Sequence, residues 1–133
     1  DSKEIDFINE AHAITGSAKV LNYPYDGSAY AYAVSNLNVV NRGWYKHGHE
    51  DIARFCSGYL SPNDVSRLES IKADGIHYIL LLDNTFGFDS GGYYFGGGYN
   101  QSDWAGIESI DDSDPNFEIV LADGPMRLYR IVG

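Results

Sequence analysis

Apolar residues recur along the chain with two different periods, and these divide it into helical and extended stretches. Residues 2–14 place Ile5, Ile8 and His12 on one stripe and Phe7, Ala11 and Ile14 on the adjoining one. Asp1 or Ser2 is available to cap the start, and Gly16 follows the end, so a helix is expected here. In residues 49–59, Ile52, Phe55, Cys56 and Tyr59 stand at i, i+3, i+4 and i+7, the spacing of one helix face. Over 62–73 the pattern predicts a third helix with Val65, Leu68 and Ile71 inward. Ser61 is placed as its N-cap, Pro62 at its first position, Asp64 returning to the cap, and Gly75 past its end.

The remaining apolar residues follow an extended pattern. Residues 18–22 and 29–34 flank Tyr23-Pro24-Tyr25-Asp26-Gly27, where Asp-Gly suits a hairpin turn. Short strands are expected at 37–40 and 43–46. Residues 76–82 are apolar throughout except for His77, as in a central strand covered on both faces. Strands at 104–110, 116–121 and 127–132 follow, the last two joined as a hairpin across 122–126, with Phe117, Ile119 and Leu121 alternating inward. The sum is one α+β domain over residues 1–133: an N-terminal helix, a hairpin, two short helices, then a mostly antiparallel sheet.

Composition narrows the function classes. The 133 residues carry a formal net charge of −10, and Lys and Arg are absent from residues 73–126. Phosphate recognition rests on clustered Lys and Arg, so direct nucleic-acid binding is not expected. Residues 1–72 hold nine acids against seven bases, whereas residues 73–133 hold ten against two. The longest apolar run, residues 78–82, is far below a membrane span. No basic stretch followed by an apolar one opens the chain, and the single cysteine cannot form an intrachain disulfide. A soluble, cytoplasmic protein is therefore expected.

Candidate chemistry is sparse. His47, His49 and Glu50 offer imidazoles and a carboxylate to a metal, but match no established ligand spacing, and Glu50 also suits a helix start. Cys56, His77 and Asp83 are the residue types of a thiol nucleophile, base and orienter. Against that reading, Cys56 sits on an apolar stripe with acids rather than cations nearby. No cofactor and no catalytic set is expected. Residues 86–100 contain six glycines and six aromatics, and an acidic turn, Asp111-Asp112-Ser113-Asp114-Pro115, lies between strands.

These features favour a non-catalytic acidic protein that engages a basic protein partner, with an immunity protein or an inhibitor of a toxin such as a nuclease as the specific form. Its contact residues are expected to be Asp89, Tyr93, Tyr94, Tyr99, Asp103, Trp104, Glu108, Asp111, Asp112 and Asp114. Two alternatives stand beside it. One is a small hydrolase using the His/carboxylate cluster or the Cys/His pair. The other is a carbohydrate-binding module using the Tyr/Gly-rich segment.

Overall fold

The first helix, α1 (Ser2–Thr15), turns Phe7, Ile8, Ala11 and Thr15 inward. Ile5 and Ile14 lie on the flanks of that stripe and stay 44% and 43% exposed, so the inward face is narrower than the apolar pattern implies. Gly16, at φ +59°, ends the helix by returning its N–H to the His12 carbonyl at 2.9 Å. The computed structural model describes residues 2–23, 37–40, 50–82 and 104–132.

Strand β1 (Lys19–Asn22) pairs in parallel with β2 (Ile76–Leu81). On its other side, Val20 bonds with residues 37–40, donating to Asn38 O and accepting from Val40 N, both at 2.9 Å. The other half of the expected hairpin, residues 29–34, lies outside the described residues, as do 43–46. Helix α2 (Glu50–Gly58) buries Ile52, Phe55 and Cys56, with Tyr59 buried just past its end, as the spacing predicts.

Helix α3 (Val65–Ala73) starts later than expected. Ser61-Pro62-Asn63-Asp64 closes as a turn, with Asp64 N donating to Ser61 O at 3.0 Å. The N-cap is Asp64, whose carboxylate accepts from Arg67 N at 3.3 Å; Ser61 Oγ instead accepts from Asn63 N at 3.2 Å. Val65, shifted to the first helical position, is 55% exposed, leaving Leu68 and Ile71 as the inward face.

Strand β2 is central, between β1 and β4 (Met126–Ile131), and β3 (Phe117–Asp123) closes the order β1-β2-β4-β3. Only β1–β2 is parallel among these pairs. The β3–β4 hairpin turns through Gly124 and Pro125, with Gly124 at φ +57° in the first central position. An irregularity between Ile119 and Leu121 breaks the expected alternation. Phe117 is buried and Ile119 is 42% exposed, while Val120 and Leu121 both pack on the opposite face.

The strand expected at 104–110 is instead a single helical turn, α4 (Ala105–Glu108). The cause is tertiary. A Cβ at Gly106 would lie 2.2 Å from Phe55 O and 2.7 Å from Tyr59 N, so α4 lies directly against the backbone of α2.

The sheet carries a core on each side. Tyr23, Phe55, Tyr59, Trp104, Phe117 and Tyr129 dominate the α2–α4 side, with Ile76 and Ile79. Phe7, Ile8, Val20, Leu80 and Leu128 form the α1 side. Both faces of β2 are thus covered, which explains its apolarity. The architecture is α+β, with helices preceding most of the sheet in chain order. No described helix is long and apolar enough to cross a membrane.

Candidate functional site

The acidic turn sits at the end of the α2–α4 side and is held from three directions. Asp111 Oδ1 accepts from Ser113 N at 2.9 Å and Ser113 Oγ at 2.6 Å, the local return contact of an Asx turn. Strand β4 supplies the second hold. Arg127 and Tyr129, two residues apart, project to one face. Arg127 Nε and Nη2 fork onto the two Asp112 oxygens at 2.9 and 3.1 Å, and Tyr129 Oη donates to Asp112 Oδ1 at 2.8 Å.

The third hold reaches α2. Asp114 Oδ2 accepts from Tyr59 Oη at 2.8 Å, and its Oδ1 from Asn116 N at 2.9 Å. Asn116 Nδ2 donates to Tyr59 Oη at 2.9 Å and to Pro62 O at 2.8 Å. This network closes the buried polar groups of the turn, as burial demands.

The electrostatics follow from these bonds. The Ser113 hydroxyl holds the Asp111 carboxyl below its ordinary range. Arg127, then Tyr129, does the same for Asp112, and Asp112 in turn raises the Arg127 guanidinium. Burial pushes Tyr59 up to about 12, with Asp114 reinforcing the shift and the Asn116 donor opposing it. Burial raises Tyr129 further still, again with help from its carboxylate partner, Asp112.

Between the turn and the hairpin lies an open groove of about 410 Å³. Leu81, Ile110 and Pro125 provide its apolar lining, and Asp111, Asp112, Ser113, Arg127 and Tyr129 its polar one. Such a surface offers acceptors, a planar cationic donor and apolar contact to one ligand.

Of the residues expected to meet a partner, Asp111 and Asp112 are exposed and line this groove, and Glu108 is exposed on α4. Trp104 and Asp114 are not. Trp104 is 2% exposed and meets Tyr23 edge-on at 6.0 Å, and Asp114 is 7% exposed beneath Tyr59. Both are interior groups, because Trp104, at the N-cap of α4, packs into the aromatic core and Tyr59 bonds the Asp114 carboxylate. Asp89, Tyr93, Tyr94, Tyr99 and Asp103 lie outside the described residues, as do His47, His49 and Asp83.

Glu50 is exposed in the first turn of α2, and no group of three metal-ligating side chains occurs among the described residues. Cys56 is fully buried in the aromatic core, whereas His77, expected to be buried, is exposed on β2. A thiol sealed there cannot reach a substrate. Arg127, Tyr129, Tyr59 and Asn116 are not among the contact residues expected from the sequence. The i, i+2 placement of Arg127 and Tyr129 on a strand was the available signal for the first two. Tyr59 and Asn116 meet across 57 positions and carry no local signature.

Fold and site define an α+β domain with helices on both faces of a mixed sheet and an acid-rimmed groove at one end. The chain belongs to DUF6541, a family of unknown function that matches residues 1–133. No curated protein matches it. Its fold is similar to the C-terminal globular domain of an oligosaccharyltransferase from Archaeoglobus fulgidus, seen in a crystal structure. The TM-score is 0.55 at 12% identity, over 98% of this chain and 96% of that one.

Proposed function

We propose that this chain is a non-catalytic binding domain that serves glycan transfer, as a globular part of a larger oligosaccharyltransferase-like protein. The observation that carries the reading is the extent of the fold likeness. It spans 98% of this chain and 96% of the archaeal domain, so the correspondence is with one whole globular unit rather than a shared motif.

The groove supports the same reading. Sugar hydroxyls donate to carboxylates and accept from guanidinium, and Asp111, Asp112 and Arg127 offer both partners within one cleft. Leu81, Ile110 and Pro125 would face the C–H surfaces of the ring. The reading is tested by calorimetric titration with short neutral oligosaccharides, with product analysis of the same samples. Saturable heat with intact sugar is expected. Sugar cleaved by the chain alone, or no heat with any oligosaccharide, rejects it.

The acid excess favours a second reading, a cytoplasmic acidic protein that engages a basic protein, as an immunity protein or an inhibitor of a nuclease toxin does. The net charge of −10 and the exposed Glu108, Asp111 and Asp112 support it. In that case a lysine-rich peptide binds at low salt and is released as salt shortens the range of the field. The oligosaccharides then give no heat.

A further inference from the structure

Away from the groove, a second cavity opens between α2 and α3. It has a volume of about 270 Å³ and is lined by Arg54, Ser66, Arg67 and Ser70. Every lining side chain carries an N–H or O–H donor, and none is a carboxylate, in a chain of net charge −10. Arg54 and Arg67 both line it, and their carboxylate partners, Asp51 and Asp64, are not among the lining residues.

The guanidinium groups are held in place by the helices that carry them. Asp51 pairs with Arg54 one turn before it, and Asp64 takes Arg67 Nη1 at 2.5 Å while capping α3. Arg67 lies across the backbone of α2, where a Cβ at Gly58 would come within 2.5 Å of its Nε. That Nε is buried and has no hydrogen-bond partner among the described residues. Each carboxylate occupies one nitrogen of its partner, and a guanidinium has five N–H donors, so donors remain on both. The Ser66 and Ser70 hydroxyls now donate to Asp64 Oδ1 and Arg67 O, and as rotors they can turn toward a new acceptor.

We propose that this cavity is a binding site for a tetrahedral oxyanion, the phosphate or sulfate group of a small ester or of a lipid headgroup. Two guanidiniums and two hydroxyls supply the donors that such a group accepts from, and Arg suits it through its planar fork. The inference goes beyond the glycan reading and shares no residue with the groove.

The test is amide chemical-shift titration of the intact chain with inorganic phosphate, glucose 1-phosphate and sulfate, against chloride at matched ionic strength. Phosphatidylglycerol vesicles form a separate arm. Saturable shifts at Arg54, Ser66, Arg67 and Ser70 are expected. Arg54→Gln, whose ion pair is exposed and therefore worth little to the fold, should weaken them about tenfold or more. Ser70→Ala should weaken them less. Response to the soluble anions alone assigns a small ester, and additional vesicle binding that Arg54→Gln abolishes assigns a headgroup. Shifts that do not saturate, or that are identical in Arg54→Gln, overturn the proposal. Oligosaccharide heats are read separately, so either site can fail without the other.

Discussion

The two faces of the sheet are filled with different chemistry. On the α1 side, aliphatic residues such as Val20, Leu80 and Leu128 meet one amphipathic helix, with Phe7 the one buried ring among the described residues. On the α2–α4 side, six buried aromatics interlock. Phe55 stacks on Tyr59 at 4.7 Å, Tyr59 meets Phe117 edge-on at 5.8 Å, and Phe117 meets Tyr129 at 6.0 Å. Two of those rings end in hydroxyls that reach the acidic turn, Tyr59 to Asp114 and Tyr129 to Asp112. The aliphatic face can be explained by burial alone. The aromatic face also fixes the polar groups that shape the groove, because a Tyr ring brings bulk and a polar tip together.

The contrast can be broken most severely by truncation. Trp104→Ala removes the largest buried ring among the described residues and is expected to cost about 4 kcal/mol, measured by denaturant unfolding. Leu128→Ala on the opposite face is expected to cost about 3 kcal/mol. The two should differ in kind as well as size. Only Trp104→Ala should also disturb the groove residues in amide spectra, since α4 leads directly into Ile110 and the acidic turn.

A smaller effect comes from filling the helix contact. Gly106→Ala pushes a methyl group into Phe55 O and Tyr59 N, and its expected cost is about 2–3 kcal/mol despite the better helix propensity of Ala. If thermal unfolding shows Gly106→Ala to be neutral or stabilising, the close approach of α4 to α2 is wrong.

Smaller again is the loss of one hydroxyl. Tyr59→Phe leaves Asp114 and Asn116 short of a partner and is expected to cost about 1–3 kcal/mol. It also carries a pH signature. The folded Tyr59 is raised from 10.0 to about 12, so its contribution is complete below pH 10 and is lost as pH rises toward 12. Alkaline unfolding curves of the wild type should steepen in that window, and Tyr59→Phe should flatten them.

The smallest expected change is on the acid side. Asp112 is lowered by Arg127 and Tyr129, so its contribution is present above its ordinary value of 3.8 and fades as pH falls below it. Asp112→Asn should remove that part of the acid dependence while costing little at neutral pH, because the Asp112 side chain is 47% exposed and an amide oxygen can still accept from Tyr129.

Much of the architecture was legible in local pattern, and the misreadings share one cause. Helix α2 reads directly from Ile52, Phe55, Cys56 and Tyr59, since one face is buried at the helical period. The turn through Gly124 reads from its glycine. By contrast, the bulky apolar Trp104, Ile107 and Ile110 suggest a strand over 104–110. What makes it helical is contact with α2, about fifty residues earlier in the chain, and only Gly106 hints at that. The cap of α3 moved from Ser61 to Asp64 because Pro62 was taken up in the preceding turn. At the groove, the acids were legible, but their holders Tyr59, Asn116, Arg127 and Tyr129 come from three separate segments. Trp104 and Asp114 were placed at the surface by their residue types, and tertiary packing drew both inside.

The central claim, a binding domain with its glycan contact in the groove, is tested most directly by mapping amide shifts during an oligosaccharide titration of the isotope-labelled chain. Saturable changes at Leu81, Asp111, Asp112, Ser113 and Arg127, with the sugar recovered intact, are the expected result. Shifts that bypass those residues, or a response confined to lysine-rich peptide, contradict it.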